Sequence, residues 1–225
     1  MVAGHPRIAM PTARLRRRHG IVVGPNTDIV IEGYPRSANN FAVIAFGLAQ
    51  PRPVTIAHHT HAPAQLIAAV AEGIPALMLI REPVDAVLEL LIAKPALTVG
   101  GALRGYIRFA ERLLPMRDRL AVGRFPVVTT DFARVIRAVN DRFGSGFAEF
   151  DHTDANVRRC FAEMDRHWAS RGADRLTIER RVGRPSALRD RYKESLRATY
   201  QRPELGRLRS HAENPYHAFD TDPLP

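Results

Sequence analysis

The sequence predicts an α/β fold, a parallel sheet flanked by helices, with a helix-rich C-terminal part. Two observations predict it. Short apolar, β-branched runs alternate with longer apolar segments of helical length, which is typical of parallel strands joined by helices. The last third of the chain holds helical segments with no strand-like run between them. Since 45% of the 225 residues are hydrophobic, the chain is long enough for one sizeable core, and we expect a single domain.

The first part of the chain shows four strand-like runs separated by helices. The strands are expected at residues 28–32, 53–57, 75–80 and 124–130. The helices between them are expected at residues 38–49, 60–73, 82–93 and 101–120. Gly73 is typical of a residue that ends a helix, and Pro83 lies in a first turn, where its missing N–H costs nothing.

The remainder of the chain is expected to be helical and to pack as a cap or flank on the sheet. Its helices are expected at residues 132–143, 154–168, 187–200 and 203–218. The last of them begins at Pro203, again a proline in a first turn.

The N-terminal segment differs in composition from the rest. Residues 1–26 carry five arginines and no acidic residue. We expect a mobile basic arm there, with a docked strand at residues 21–23 as the alternative. Residues 27–219 are expected to form the folded domain, and residues 220–225 a tail.

Composition narrows the function classes. The net charge of +10 indicates attraction to anions. Nucleic acid is not the expected partner, because the basic residues are interleaved with Asp and Glu rather than with aromatic residues that stack on bases. The absence of 18 consecutive apolar residues and of an apolar secretory segment, together with a single cysteine, leads us to expect a cytoplasmic protein without a transmembrane segment. His58, His59 and His61 have no cysteine or acidic cluster nearby, so no metal site is expected.

The segment GYPRSANNF, residues 33–41, joins the first strand to the first helix. Ligands of open α/β sheets bind at the carboxyl ends of strands, where a helix N-terminus offers N–H groups to an anion. Gly33 is expected to permit the tight turn, Ser37 to offer a hydroxyl, and Arg36 to add positive charge. The segment therefore predicts a phosphate-binding loop. It lacks the second glycine and the Lys-Ser/Thr pair of GxxxxGK[ST], so a metal-dependent ATPase or kinase is not expected.

Three motifs follow one another along the chain: GYPRSANNF at residues 33–41, HTHAP at 59–63 and LMLIREPVDAVLE at 77–89. They resemble, in the same order, motifs of the sulfotransferases that use 3′-phosphoadenosine 5′-phosphosulfate (PAPS). Residues 125–144 also resemble that family's fourth strand and helix. The resemblance covers roughly residues 27–218. It implies a P-loop fold of the nucleoside-triphosphatase type and metal-free transfer of a sulfuryl group from PAPS to a hydroxyl of a small molecule, sugar or lipid, with PAP as product.

The resemblance also implies roles for individual residues. Arg36 would be the catalytic cation and His61 the catalytic base, two functions that sulfuryl transfer to a hydroxyl requires. The basic run at residues 179–193 would close the site. Contacts to PAPS are implied for Tyr34, Pro35, Arg36, Ser37, Ala38, Asn39, Asn40, Phe41, Arg81, Glu89, Arg184, Ser186 and Arg189.

Four positions depart from the family's motifs, and two of them are Arg36, which stands in place of a lysine, and His59, where the family often has a lysine. Glu89 stands where the family has a serine that contacts the 3′-phosphate, and Asn40 stands where it has a threonine. A carboxylate at position 89 would repel that phosphate unless an arginine pairs with it. Two further interpretations therefore stay open: a pseudoenzyme that kept the sulfotransferase fold, and a binder of a nucleotide that lacks the 3′-phosphate.

Overall fold

The structure, a computed structural model, describes residues 21–184 and 186–220. It confirms the α/β class, with a four-stranded parallel sheet of strand order β2-β1-β3-β4 flanked by helices. The strands are β1 Ile29–Gly33, β2 Ile56–His58, β3 Ala76–Ile80 and β4 Ala121–Arg124.

Ten α-helices occur in the part of the chain that the structure describes. They are α1 Asn39–Ala49, α2 Pro63–Glu72, α3 Pro83–Ala93, α4 Val99–Glu111, α5 Phe125–Thr130, α6 Phe132–Phe143, α7 Asp154–Ala169, α8 Arg175–Arg181, α9 Ala187–Tyr200 and α10 Gly206–Asp220. Short 3-10 helices lie at Leu114–Arg119 and Pro203–Leu205. As expected, Gly73 ends α2 in a left-handed conformation, because a helix that stops there needs a residue without a Cβ penalty.

Two apolar layers cover the central strands. Along β3, Met78 packs into one layer with α2, α3 and α4, while its neighbours Leu77 and Leu79 pack into the other with α1, α6 and α7. Successive side chains of a strand point to opposite faces, so both faces of the sheet are covered.

The prediction for the fourth strand was wrong. The strand is Ala121–Arg124, and most of the segment expected as strand, 124–130, forms helix α5. Pro126 lies in the first turn of α5, where its missing N–H is no loss. The hydroxyl of Thr130 donates to the carbonyl of Pro126 at 2.8 Å, so the β-branched residues that indicated a strand are accommodated in a helix.

Two expected helices are divided. The segment 101–120 is helix α4 followed by a 3-10 helix that has a proline in its first turn. The segment 203–218 begins as a 3-10 turn at Pro203, and α10 starts at Gly206. In each case a proline lies at the start of the 3-10 segment.

The edge of the sheet at β2 receives the N-terminal segment. The N–H of His58 donates to the carbonyl of Ile21 at 2.9 Å in an isolated antiparallel bridge, and Val23 is buried. Ile21 is thus docked through a single bridge, whereas the alternative from the sequence was a docked strand at residues 21–23. The rest of the expected arm, residues 1–20, lies outside the described residues, as do residues 221–225 of the tail. No helix in the described ranges is both long and apolar enough to cross a membrane.

Candidate functional site

The turn after β1 is shaped by a close approach between two strands. A Cβ on Gly33 would lie 2.5 Å from the carbonyl oxygen of Leu79 on β3, so only glycine fits there. Gly33 is therefore required by the packing of the two strands. The sequence had led us to expect that it was needed for the conformation of the turn, and that expectation is corrected. The positive φ angles of the turn fall on Arg36 (76°) and Ala38 (66°). These alternating conformations curl the backbone in the manner of anion-binding loops.

The N-terminus of α1 lies at this turn without a side-chain cap. Its cap residue is Ala38, so the first N–H groups of the helix have no side-chain acceptor there. The hydroxyl of Ser37 and Oδ1 of Asn39 are buried and have no hydrogen-bond partner among the described residues. Nδ2 of Asn39 donates to the carbonyl of Tyr34 at 3.1 Å, which fixes the amide. Unpaired N–H groups beside a buried hydroxyl suit a phosphate oxygen.

The aromatic residues at the two ends of this segment face the core. Tyr34 is buried, donates its hydroxyl to the carbonyl of Ala102 at 2.8 Å, and packs edge-to-face on Tyr106. Burial raises the pKa of Tyr34. Phe41 is likewise buried and packs on Phe132. Both side chains are therefore packed in the core, where they position the loop.

A cluster of cations surrounds Glu89 on α3, which is only 4% exposed. Arg189 on α9 hydrogen-bonds to its carboxylate, Nζ of Lys193 lies 3.0 Å from Oε1, and Nη2 of Arg36 lies 3.4 Å from Oε2. Burial acts to raise the pKa of Glu89, but the hydrogen bond from Arg189 and the charge of Arg36 outweigh it and hold the pKa at about 2. The carboxylate is therefore ionised at neutral pH and has three cationic neighbours.

Arg36 is also held from its other side. Its Nη1 donates to the carbonyl of Arg181 at 2.7 Å, and a Cβ on Gly183 would lie 2.8 Å from its Nη2. Burial lowers the pKa of Arg36 to about 10, which still leaves it charged at neutral pH. The guanidinium thus connects the turn after β1 to the segment between α8 and α9.

Arg189 is committed to protein groups. It is 2% exposed and its Nη1 donates to the carbonyls of Glu179 (2.8 Å) and Arg180 (3.2 Å). Nη2 of Arg189 hydrogen-bonds to Glu89, so this side chain connects the run at residues 179–193 to α3. Sequence reasoning expected this run near the site but missed Lys193, which lies one helical turn after Arg189 and so on the same face of α9.

Arg81 follows β3 and contacts the turn after β1. Its Nη1 donates to the carbonyl of Arg36 at 3.1 Å, and its guanidinium carbon lies 3.8 Å from the centroid of the Phe125 ring. Its Nη2 lies 3.7 Å from Asp85, which is half exposed. Burial lowers the pKa of Arg81. One face of this guanidinium is thus stacked on an aromatic ring beside the loop.

Arg184 and Ser186 have local partners. Arg184 pairs with Asp165 on α7. Ser186 is the N-cap of α9, accepts from the N–H of Arg189 at 3.3 Å, and hydrogen-bonds to Glu179. Both residues shape the segment that leads into α9.

His61 lies after β2, at the same edge of the sheet as the loop. Its Nδ1 is 3.0 Å from the carbonyl oxygen of Gly33 and 3.5 Å from Oε1 of Glu32, and its side chain is 30% exposed. Glu32, inside β1, is completely buried. Sequence reasoning missed Glu32, although a charged residue within an apolar strand is a signal that could have found it.

The two preceding histidines contact each other and the start of α1. His59 hydrogen-bonds to Oδ1 of Asn40 through Nε2 and to His58 through Nδ1. Burial lowers the pKa of His58 to about 4, so its ring is neutral at pH 7. The described residues contain no group of His, Cys, Asp and Glu side chains that could hold a metal ion.

A cleft of about 660 Å³ lies away from this edge. It is bordered by the C-terminal end of α3, the start of α4 and one face of α9, with Leu91, Leu97, Arg104 and Leu196 among its walls. Its lining includes Arg180 and Tyr192 from the run that carries Arg189, but neither His61 nor a residue of the turn after β1.

Comparisons with known proteins returned one kind of match. No family model matches the chain, and no curated protein matches it. Among solved structures, the chain is similar to mouse sulfotransferase SULT7A1 complexed with PAP, with 12% sequence identity over 85% of this chain and 90% of that chain, at a TM-score of 0.44. What the chain does is therefore inferred from the site itself.

Proposed function

We propose that this chain is a sulfotransferase that moves a sulfuryl group from PAPS to a hydroxyl of a small molecule, sugar or lipid. One observation carries the proposal: His61 has its Nδ1 turned to the carbonyl of Gly33, where the turn that leads to the uncapped N-terminus of α1 begins. A carbonyl oxygen only accepts hydrogen bonds, so Nδ1 holds the proton and Nε2 of the neutral ring is left as an acceptor. That is the arrangement of a base.

The donor would bind at the turn after β1. The first N–H groups of α1, among them the backbone N–H groups of Asn39 and Asn40, would hold its 5′-phosphate together with the unpaired Ser37 hydroxyl. Arg81 would reach the 3′-phosphate, as in the family that the motifs resemble. These groups fit a phosphate because the Ser37 hydroxyl is buried without a hydrogen-bond partner, and a phosphate oxygen would supply one.

The chemistry is an in-line displacement in which the protein supplies charge and a proton acceptor. Nε2 of His61 takes the proton of the acceptor hydroxyl while its oxygen bonds to sulfur. The bond between sulfur and the bridging oxygen breaks, and PAP leaves with the electron pair. Arg36, fixed at the turn by Glu89 and the carbonyl of Arg181, would place positive charge near the transferring group.

A second candidate is a protein of the same fold that binds a nucleotide without the 3′-phosphate. The ionised Glu89 favours it, because its carboxylate already occupies Arg36, Arg189 and Lys193. The two candidates differ in what removal of the carboxylate does. If the carboxylate of Glu89 repels the 3′-phosphate of PAP, Glu89→Ser should strengthen PAP binding. Unchanged PAP binding would rule out that repulsion.

The test is calorimetric titration with PAP and with adenosine 5′-phosphate. We expect PAP to bind at least about tenfold more tightly, since a charged hydrogen bond to phosphate contributes about 1.5–3 kcal/mol. Arg81→Gln should remove that preference, while Arg52→Gln, an exposed arginine before β2, should keep it. Equal binding of both nucleotides would favour the second candidate. Binding of neither would contradict a nucleotide site.

A further inference from the structure

We propose that Glu32 is a positioning residue, which holds the imidazole of His61 in the orientation that a base requires. This inference rests on the proposed role of His61. Glu32 lies on β1 directly before Gly33 and is 0% exposed. It belongs neither to the phosphate-binding turn nor to the cation cluster around Glu89.

The turn that carries His61 has an uncommon backbone conformation. His59 and His61 both have positive φ angles, 61° and 50°. Non-glycine residues adopt this region at an energetic cost, so the surroundings must hold them there. Thr60, between them, donates both its N–H and its hydroxyl to Oε2 of Glu32, each at 2.8 Å. Glu32 therefore anchors the turn at its centre.

The ring of His61 is held by the same strand. Its Nδ1 faces the carbonyl of Gly33 at 3.0 Å and Oε1 of Glu32 at 3.5 Å. The carbonyl and the carboxylate together favour the proton on Nδ1, and the carboxylate also stabilises the positive charge that forms when Nε2 takes a second proton. A nucleophile, a base and an acid that orients the base form the arrangement known from acyl-transfer enzymes.

The other partners of Glu32 are neutral. Nε2 of Gln65 donates to its Oε2 at 3.2 Å, and Oε1 of the same amide accepts from the N–H of Val23 at 3.1 Å. The N–H of Gly33 donates to Oε1 at 3.2 Å. Among the described residues no lysine or arginine forms an ion pair with Glu32. These partners of Glu32 are thus neutral donors and one histidine, in contrast to the three cations around the carboxylate of Glu89.

Nitrogen-15 NMR of the histidine rings in the whole chain tests the inference without any need for activity. We expect the wild-type His61 ring to show a single neutral form with the proton on Nδ1. Glu32→Gln should mix both neutral forms, and Thr60→Val, which removes one of the two hydrogen bonds from Thr60 to Glu32 and preserves the core carboxylate, should do so in part. Glu72→Gln, an exposed glutamate on α2, should leave the ring unchanged.

Kinetics add a readout that a purely structural role would not move. Glu32→Gln should lower kcat for PAPS conversion about 10- to 100-fold with KM for PAPS within about twofold, and Glu32→Asp should recover part of the loss. If Glu32→Gln does not fold, Thr60→Val carries the test. A His61 ring that keeps its Nδ1 proton in both variants overturns the inference, whatever the activity. Failure of wild-type protein to bind PAP counts against the proposed function instead.

Discussion

Two buried glutamates lie near the same edge of the sheet and differ in their partners. Glu32 on β1 accepts from neutral groups and faces one histidine, whereas Glu89 on α3 contacts Arg36, Arg189 and Lys193. Burial raises the pKa of Glu32, while the cations hold the pKa of Glu89 at about 2. The same side chain, equally buried, is thus shifted in opposite directions by its neighbours.

The difference separates two tasks at one site. The carboxylate of Glu32, which accepts hydrogen bonds from neutral donors, faces a single titratable partner, His61, whose side chain is 30% exposed. The carboxylate of Glu89 is paired with three cations, and these pairs connect α9 and the turn after β1 to α3. These contacts of Glu32 agree with the positioning role that we propose for it at His61, and those of Glu89 hold segments of the chain together.

The largest effect is expected from Glu89→Gln. It leaves Arg36, Arg189 and Lys193 close together without a counter-charge, and breaking such a buried pair costs about 3–5 kcal/mol of folding free energy. Chemical unfolding monitored by circular dichroism measures it, with the exposed Glu194→Gln as the control. A loss below about 1 kcal/mol would show that the cations find other partners.

The second-largest effect is expected in the pH dependence of the unfolding free energy at acid pH, which should reflect the titration of Glu89. Its folded pKa of about 2 lies below its ordinary value of 4.5, so its contribution is present above pH 4.5 and is lost as the pH falls towards 2. That shift corresponds to about 3 kcal/mol. The difference in unfolding free energy between wild type and Glu89→Gln should shrink over this window. A difference independent of pH would contradict the ion-pair interpretation.

Glu32→Gln should cost less, about 1–3 kcal/mol, because it removes hydrogen bonds from neutral donors rather than a counter-charge. Its pH dependence should have the opposite sign. The pKa of Glu32 is raised in the folded state, so its titration favours folding below pH 4.5 and that contribution is lost as the pH rises through the raised pKa. Unfolding curves of wild type and variant at several pH values measure this, and a trend parallel to that of Glu89 would refute the contrast.

The smallest effect is expected at an exposed glutamate. Glu149 pairs with Arg137, and both side chains are about half exposed, at 43% and 51%. Such pairs contribute about 0.2–1 kcal/mol, because water and salt screen them. A double-mutant cycle on this pair should give a coupling energy in that range. A coupling as large as the loss from Glu89→Gln would mean that pairing, and not burial, sets the energies.

Much of the fold follows from local sequence signals. The bounds of α6 and α9 match their predictions, since their amphipathic segments begin at a capping Asp131 and Ser186 and have clear ends. The fourth strand was misplaced because β-branched residues occur in α5, where Pro126 starts a helix. The β-branched residues of 127–130 locally favour a strand, but the strand forms one segment earlier. There Gly123 packs closely against Leu79 and Val128, at a position that favours a small residue in β4.

Sequence patterns pointed to some residues of the candidate site, but they could not predict the contacts between residues that are far apart in the chain. The turn after β1, His61 and Arg81 were recognisable because each follows a strand. The pairing of Glu89 with Arg189 joins residues 100 positions apart, which no local pattern reports. Sequence reasoning left open whether an arginine would pair with Glu89, and the structure brings two arginines and a lysine to it.

Conversion of PAPS to PAP with a simple phenol as acceptor, in wild type and in His61→Asn, is the decisive measurement. Loss of a general base lowers a rate by about 10²–10⁴-fold, so His61→Asn should convert PAPS at least about 100-fold more slowly while it binds PAP as tightly as wild type. Equal rates in the two proteins, or no conversion by wild-type protein that binds PAP, would contradict sulfuryl transfer at this site.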